Sequence, residues 1–420
     1  MFLQRAATGA VLPTVLSLLP SPVGGRAYAQ SEKHLSAEWL ELAARYGKPT
    51  GKFGNIGDPV TLTIGYQPYC TPYWTATINK QAQICAKYLP KGSRIIWFRA
   101  LSGPLISNNM NAGTNQIGYM AETPALTAGD LVNCDLVSVT GYDLGETGSI
   151  VVRKDLLEGD KVKQPRDLNQ RPIGVPFGSY SHRQILTWSR QNGVGGELSE
   201  QSIERQMSNI NSSAIWAGAL WEPYPSWLEF KGAASRWVTG LEMPCSCDKY
   251  HPQAVKHTFR VTGATLAIHD WLRERPDIIA AYLKSEEECR ELLTSDPELA
   301  TYLIWSDISE VPPAVVRNAL DMMVWDGRLT PEINRHLKGC ARMWREAGFL
   351  KNDRSRDPDA YVDRWANGAF LELALKELQK EGRWSSLRQP GFPHPVRPDQ
   401  NQRHDWKKYQ EIQVAFKEWN

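Results

Sequence analysis

The sequence predicts an α/β fold, because short apolar strands that stop at small or polar residues alternate with helical segments. The first strand lies in TLTIGYQPYCTPYW (61–74) and is rich in β-branched and aromatic residues. The same arrangement returns in SRIIWFRALSGP (93–104), DLVSVTGY (135–142), RPIGVPFGSYSH (171–182) and TFRVTGAT (258–265). This alternation is typical of α/β proteins and not of helical bundles or β-sandwiches.

The first unit places polar and aromatic residues after its strand. Gly65 and Pro68 end the strand, and NKQAQICAKYLP (79–90) is predicted to be the crossover helix that leads to a second strand at 95–98. Ligands of open α/β sheets bind beyond the carboxyl ends of the strands. Gln67 and Tyr69 are therefore expected in a binding crevice.

The following units add three more turns of this kind. Ser102 is predicted to cap a helix that has Pro104 in its first turn, and a helix N-terminus offers N–H groups to an oxyanion. QIGYMAETPALTAGD (116–130) indicates a strand, a turn at Glu122 and a helix. The segment 171–193 indicates a strand, a turn rich in hydroxyl groups and a helix.

The remaining segments are predicted mainly as helices. A short amphipathic helix is expected within 36–47, and a helix followed by a short strand is expected in SSAIWAGALWEPYPSWLEF (212–230). The later helices are expected at 268–293, 312–324 and 329–349, and 351–420 should form a helical, partly irregular C-terminal extension.

The N-terminal 29 residues are predicted to be a signal peptide. Arg5 supplies a positive charge, an apolar run follows, and Ala27-Tyr28-Ala29 offers a small-x-small cleavage motif before Gln30. No later stretch has the roughly 18 to 20 consecutive apolar residues of a membrane span, and the +1 residue is not a lipidated Cys. The mature protein is expected to be soluble and periplasmic.

Charge and cysteine content limit the classes of partner. Without the predicted signal peptide the chain has 46 basic and 46 acidic residues, because the peptide contains two of the 48 basic ones. The net charge is then zero, so nucleic acid is not an expected partner. Seven Cys in an exported protein suggest disulfides whose pairing the sequence does not give. Cys245 and Cys247, with His251 nearby, lack a second ligand pair and are predicted to be structural or incidental, as a disulfide or free thiols, and not a metal site.

The chain resembles the solute-binding proteins of ABC importers for sulfonates, taurine and nitrate, a group related to pyrimidine-precursor-binding and pyrimidine-synthesis proteins. The matching pieces keep the family order over roughly 58–350: TIGYQPY, the SGP turn, QIGYMAETPAL, VSVTGYDLGETGSIVVRKD, DLNQRPIGVPFGSYSH, WAGALWEPY and RVTGATLAIHDWLRERPD.

The resemblance implies a two-lobed periplasmic-binding-protein fold of type II, each lobe a mixed sheet flanked by helices. It implies one small-molecule ligand held between the lobes, an ABC permease as partner, a monomer, no catalysis, and neither cofactor nor metal. Lobe I would comprise 58–147 and 258–350, lobe II 148–257, and the extension 351–420.

The same resemblance implies a set of ligand-binding residues. These are Gln67, Tyr69, Ser102, Gly103, Glu122, Thr123, Tyr142, Ser179, Tyr180, Ser181, His182, Trp221, Glu222 and Gly263. The chain departs from the family pattern at Asn115 and Gln116, where an Asp is common, and at Glu122, where a small residue is usual. A carboxylate facing the cleft would repel an anion.

Two interpretations of the ligand remain open. Glu122, with aromatic residues around it, favours a flat, nitrogen-bearing neutral or cationic molecule, because no clear cation is expected in the cleft except a protonated His182. The helix starts at Ser102 and Ser179 favour an oxyanion. Alternative functions are an enzyme on the same fold that uses His182, Cys70 or Cys245, and a sensor partner that presents its ligand to a receptor.

Overall fold

The computed structural model describes residues 35–243, 259–383 and 405–412, apart from the side chain of Gln170. The predicted signal peptide, Cys245, Cys247 and His251 lie outside the described residues. Eleven strands are present in this part of the chain: β1 Thr61–Tyr66, β2 Arg94–Arg99, β3 Ile117–Ala121, β4 Cys134–Asp143, β5 Gly148–Arg153, β6 Ile173–Val175, β7 Leu198–Glu200, β8 Ala217–Trp221, β9 Ala234–Thr239, β10 Thr262–Ile268 and β11 Met323–Val324.

Helices follow most of these strands and dominate the C-terminal half. Those of the described residues are α1 Ala37–Ala44, α2 Trp74–Ala82, α3 Gly103–Asn111, α4 Glu122–Leu131, α5 Lys154–Glu158, α6 Tyr180–Asn192, α7 Ile203–Asn211, α8 Tyr224–Phe230, α9 His269–Glu274, α10 Pro276–Ser295, α11 Pro297–Asp307, α12 Pro313–Asp321, α13 Pro331–Glu346, α14 Pro358–Trp365 and α15 Ala369–Lys380.

The strands form two mixed sheets. Five strands of the first sheet, taken as β2-β1-β3-β10-β4, correspond in order to the five strands of the second, taken as β7-β6-β8-β5-β9. The first sheet runs β11-β4-β10-β3-β1-β2 and the second runs β7-β6-β8-β5-β9. In each sheet three strands are parallel, and the next strand in the row is antiparallel to them. That antiparallel strand is the first one that the chain forms after it passes over from the other sheet, β5 in the second sheet and β10 in the first. The mixed α/β architecture predicted from the sequence is confirmed.

The chain crosses between the sheets twice, and the two crossings pack against each other. The first lies between β4 and β5 and the second between β9 and β10. A Cβ added to Gly240 would lie 2.7 Å from the carbonyl oxygen of Gly145 and 2.1 Å from that of Phe259. Gly145 has a φ of +115°, a conformation that favours glycine. The lobe boundaries given above stay a prediction.

One buried carboxylate holds both crossings. Asp143 accepts hydrogen bonds from the backbone N–H and the hydroxyl of Thr147, at 2.8 and 2.7 Å, and from the backbone N–H of Val261 at 2.6 Å. Burial raises the pKa of Asp143, while these donors act in the opposite direction. The first and second crossings therefore share a single anchor.

The C-terminal helices pack on the first sheet. Ala366 forms a bridge with Leu136 of β4, and Tyr361, Trp365 and Phe370 are buried. The aromatic side chains supply apolar area where the sheet would otherwise meet water. The helical character of the extension is confirmed for this segment, and no described helix is both long enough and apolar enough to traverse a bilayer.

Two predicted helices differ from the structure. The crossover helix begins at Trp74 and ends at Ala82, where Gln83 adopts a left-handed conformation, instead of spanning 79–90. The helix expected before the strand at 217–221 is absent there: α8 follows that strand, because 212–216 forms a turn with Ser213 at positive φ. In both cases the helical segment lies on the other side of a turn from the predicted one.

We expect Gly240→Ala to destabilise the protein by about 1–3 kcal/mol, because its Cβ would overlap the backbone of the opposite crossing. The midpoint of chemical unfolding measures the change. Gly195→Ala is the matched control, since nothing lies within 4 Å of its added Cβ, and it should stay within about 0.5 kcal/mol. Equal midpoints for the two variants would show that the crossings are not in tight contact.

Candidate functional site

The predicted site residues lie where the two sheets face each other. Most of them follow a strand or lie in the first turn of a helix, whereas Tyr142, Trp221 and Gly263 lie at the ends of strands. Tyr69 and Ser102 are half-buried, and all the other predicted site residues are buried. The elements of the two sheets touch directly at this place.

A buried ion pair between Glu122 and Arg183 is the central contact. Arg183 Nη2 donates to Glu122 Oε1 at 2.8 Å, and neither side chain has any exposed surface. Glu122 begins α4, which follows strand β3 of the first sheet. Arg183 lies in the first turn of α6, which follows strand β6 of the second sheet. Arg183 also donates to the carbonyl of Arg260 and lies over the ring of Phe259 at 4.0 Å.

The surroundings of Glu122 correct its expected role. Besides Arg183, it accepts the backbone N–H of Thr262 at 2.8 Å and the hydroxyl of Thr123 at 3.1 Å. The carboxylate is thus neutralised and hydrogen-bonded within the protein. It is not a free charge that would repel an anion or select a cation.

His182 also differs from expectation. Its Nδ1 accepts the backbone N–H of Gly178, and its ring stacks on Phe177 and meets Trp344 and Phe349 edge-on. Burial lowers the pKa of His182 to about 4, so the imidazole is neutral near pH 7. A buried cation does lie beside it: Arg183, the next residue along the chain.

Further contacts join the two sheets beside this pair. Trp221 donates its indole N–H to the carbonyl of Tyr69 at 3.0 Å. The backbone N–H and the hydroxyl of Thr71 both donate to the carbonyl of Glu222, at 3.3 and 3.0 Å. These bonds link the turn after β1 to the turn after β8, so two of the predicted cleft segments form one interface.

The Glu222 side chain points into the second half of the molecule. It lies 3.5 Å from Arg236 and accepts a hydrogen bond from the backbone N–H of Ser226. Burial raises the pKa of Glu222 to about 7, although Arg236 acts in the opposite direction. Its role is to hold the loop before α8.

Helix starts and hydroxyl groups supply the polar surface of the interface. Ser179 caps α6 by accepting the N–H of His182 at 3.2 Å, whereas Ser102 precedes α3 without a side-chain cap. The hydroxyls of Ser181 and Thr262 are buried and have no hydrogen-bond partner within the described residues. Buried hydroxyls are normally hydrogen-bonded, so these two groups could each accept or donate a further hydrogen bond.

The other predicted residues have structural contacts. Gln67 donates to the carbonyl of Tyr119 at 3.1 Å, and Tyr180 donates to the carbonyl of Thr147 at 3.4 Å. Tyr142 of β4 is buried, and its partner in the antiparallel pairing with β11 is Val324. Gly103 and Gly263 each allow close approach, since added Cβ atoms would lie 2.7 Å from Pro124 and 1.9 Å from the Thr140 hydroxyl.

A cavity of about 420 Å³ lies beside these contacts and is lined from both sheets. This volume falls within the usual range for small-molecule sites. Its walls are mostly aromatic and apolar, with charged groups among them. The lining residues are Tyr69, Arg99, Leu101, Glu204, Met207, Asn211, Tyr224, Trp227, Lys231 and Glu310.

The aromatic side chains of the cavity form a row that carries two cations. Tyr224 stacks on Tyr69 and on Trp227, with ring centroids 5.9 and 6.3 Å apart. Arg99 lies over Tyr69 at 5.0 Å and Lys231 lies over Trp227 at 4.2 Å. The cavity therefore presents flat apolar surfaces with positive charge at both ends of the row.

The two carboxylates of the cavity already accept hydrogen bonds from phenols. Tyr69 donates to Glu310, and Tyr224 donates to Glu204 at 3.2 Å. Lys231, by contrast, is exposed and forms no ion pair with any described residue. An incoming anion could pair with its ammonium group without breaking an existing ion pair.

Cys70 lies between the sheets but is not an activated nucleophile. Burial raises the pKa of its thiol well above the ordinary value, and the nearby charge of Glu122 acts in the same direction. The thiol is therefore protonated near neutral pH. His182, the predicted base, has Phe177 and Gly178 as its close partners instead.

Sequence reasoning missed the charged residues that define the site. Arg183 directly follows the Ser181-His182 motif, so its place one turn into a helix was visible, but its partner lies 61 positions away. Arg99 and Lys231 each follow an aromatic segment at the end of an element, a pattern too common to single them out. Only the three-dimensional packing brings Arg183 to Glu122, and Arg99 and Lys231 to one cavity.

Comparison with known proteins supports the resemblance. No family model matches the chain. The taurine-binding periplasmic protein of Escherichia coli is 22% identical over 249 residues, which cover 57% of this chain and 68% of that protein. The putative aliphatic sulfonates-binding protein of the same organism is 24% identical over 291 residues, covering 66% and 84%. The chain is a homologue of these periplasmic binding proteins.

Solved structures confirm the binding-protein fold. The alkanesulfonate-binding protein SsuA from Xanthomonas axonopodis pv. citri, bound to MOPS, superposes with a TM-score of 0.59 at 18% identity and covers 74% of this chain and 98% of that one. The periplasmic nitrate-binding protein NrtA from Synechocystis PCC 6803 gives a TM-score of 0.60 at 13% identity, covering 85% and 98%. The predicted periplasmic-binding-protein fold is therefore confirmed.

An enzyme shares this fold as well. The desulfurization enzyme DszB superposes with a TM-score of 0.54 at 16% identity, covering 76% of this chain and 99% of that one. At this identity the likeness concerns the fold alone. The homologues found by sequence are binding proteins.

We expect wild-type protein to lose stability relative to His182→Asn as the pH falls from 6.5 to 4. The unfolded state binds a proton on His182 near pH 6.5, but the folded state does so only near pH 4, so the stability from the neutral imidazole is complete above 6.5 and is lost on acidification. After allowance for solvent screening, the relative loss should exceed about 1 kcal/mol. Chemical unfolding at pH 7.5, 6 and 5 measures it, and parallel profiles would contradict the lowered pKa.

Proposed function

We propose that this chain is the exported solute-binding component of an ABC importer, which captures a small organic anion between two lobes and delivers it to a permease. Its homology to periplasmic taurine-binding and aliphatic-sulfonate-binding proteins supports the class. The observation that carries the proposal is the cavity of about 420 Å³ that is lined by elements of both sheets. A ligand there would touch both halves at once, as a solute that holds a cleft closed must do.

The chemistry of the cavity selects the ligand class. Tyr69, Tyr224 and Trp227 offer stacked apolar surface, and Leu101 and Met207 extend it. Positive groups stand at the ends of this row, and the carboxylates are occupied by phenols. An anionic head with an apolar body, such as an alkanesulfonate or arylsulfonate, satisfies both features.

This ligand class replaces the nitrogen-bearing molecule that Glu122 suggested. That interpretation rested on a Glu122 carboxylate without a partner, in a cleft with no clear cation except a protonated His182. In the structure Glu122 is paired with the buried cation Arg183. The helix starts and buried hydroxyls favour an oxyanion instead. The predicted ligand-binding residues are proposed to line the cleft that opens when the two sheets separate.

An enzymatic role receives less support. The fold shared with DszB admits it, but a nucleophilic thiol requires a lowered pKa or an adjacent base. Cys70 has a raised pKa, and Cys245 lies outside the described residues. We propose binding and delivery without catalysis.

Calorimetry with a panel of solutes tests the ligand class. Taurine, a longer alkanesulfonate, nitrate and a heteroaromatic amine are titrated into the tag-free mature chain. We expect the longer alkanesulfonate to bind most tightly, because it alone supplies both the charge and the apolar body. Lys231→Met should weaken its binding about tenfold or more, since a charge-assisted contact is lost.

Lys52→Met is the matched control for that variant. Lys52 also lies over an aromatic ring, that of Phe53 at 5.1 Å, but it is remote from the cavity and pairs with Asp270. Its substitution should leave the affinity unchanged. Tighter binding of the amine than of any sulfonate would overturn the proposed ligand class and restore the nitrogenous one.

We expect small-angle X-ray scattering to show a smaller radius of gyration when a solute that binds in the calorimeter is added. The reason is that the chain crosses between the sheets at only two adjacent segments, an arrangement that permits hinge closure. Identical scattering curves with and without a bound solute would exclude closure.

A further inference from the structure

A histidine and a cysteine lie on one face of α13, apart from the cavity. His336 and Cys340 are four positions apart, so their side chains are neighbours on the helix surface. Cys340 Sγ lies 3.5 Å from His336 Nε2, and the two residues are only 1% and 4% exposed. The pair is aimed into the protein and not into solvent.

A carboxylate completes the cluster. The ligand atoms of Glu122, His336 and Cys340 all lie within 4.8 Å of one another, and all three residues are buried. Their helices are packed together, since Trp344 of α13 donates its indole N–H to Thr127 of α4 at 3.1 Å. The positions of the three donors are therefore fixed by the fold and not by flexible loops.

We infer that Glu122, His336 and Cys340 form a binding site for a zinc ion. Thiolate, imidazole and carboxylate are the donor types that zinc takes in proteins. A tetrahedral ion with ordinary Zn–S and Zn–N bonds would hold these two atoms about 3.6 Å apart, close to the observed separation. Three protein ligands leave a fourth position for water.

The charges of the site are compatible with a divalent ion. A carboxylate has about four lone-pair directions, and Glu122 uses three of them for Arg183, Thr123 and Thr262. One direction remains for a metal. As the Zn–S bond forms, the Cys340 thiol releases its proton to solvent, and the thiolate offsets one of the two positive charges. Glu122 would be shared between the ion and Arg183, so the cluster with zinc would carry a net charge of +1.

The ordinary alternative is a hydrogen bond from the Cys340 thiol to the His336 ring, which needs no ion. The described chain provides a comparison, because Cys289 is also fully buried on a helix, where burial raises the pKa of its thiol well above the usual value. Cys289 is not part of the three-residue cluster. Zinc binding that depends on Cys340 and not on Cys289 separates the two possibilities.

The test is a zinc titration of the tag-free mature chain after removal of metal with a chelator. Bound zinc is measured by mass spectrometry after desalting, and cobalt replaces zinc to report a thiolate-to-metal charge-transfer band. We expect one zinc per chain and a higher thermal midpoint with zinc. Cys340→Ser and His336→Gln should abolish both, whereas Cys289→Ser and Cys247→Ser should retain them.

The outcomes are decisive whether or not each variant folds. The cobalt band of the wild-type protein requires no variant, and its absence at saturating cobalt would overturn the site. Zinc retained by a folded Cys340→Ser would overturn it too, as would zinc lost only in Cys247→Ser. The inference does not depend on the proposed solute, because calorimetry with sulfonates can fail while zinc still binds.

Discussion

The ion pair between Glu122 and Arg183 is the interaction on which the arrangement of the two sheets depends. Both groups are fully buried, so neither could remain charged there without the other. Burying two charges is costly, and the hydrogen bonds to Thr262 and Thr123 offset part of that cost. Such a pair contributes little net stability, but it strongly favours one relative position of its two helices. Separation of the sheets would return both charges to water.

The pair acts together with the anchor at the crossings. Asp143 holds the segments that enter and leave the second sheet, and the close backbone approach at Gly240 leaves no room for side chains between them. The ion pair lies next to this anchor, because Arg183 donates to the carbonyl of Arg260 and Glu122 accepts the N–H of Thr262, on either side of Val261. The chain thus passes between the sheets at two adjacent segments with a polar contact beside them, and two adjacent crossings are compatible with hinge closure.

The sequence predicted the parts of this design that depend on local patterns. Strand β1 and helix α6 were identified at nearly their true bounds, because Gly and Pro punctuation and side-chain periodicity are local signals. The partners of charged residues were not predictable in this way. Arg183 meets Glu122 across 61 positions, and Lys231 joins Arg99 in one cavity only through the packing of the two sheets. Residue type indicated a charge in the cleft but not whether that charge was compensated.

Whether the charge of Glu122 is compensated decides what this departure from the family pattern means for the choice of solute. A carboxylate at this position would repel a sulfonate if it stood alone, since like charges in a poorly solvated site interact strongly. Paired with Arg183, it contributes almost no net charge to the interface, and the neutral His182 adds none. The positive groups that line the proposed solute cavity are then Arg99 and Lys231, and Lys231 forms no ion pair within the described chain. The departure at Glu122 is therefore compatible with an anionic solute, because selectivity follows from the pairing of charges and not from the identity of one residue.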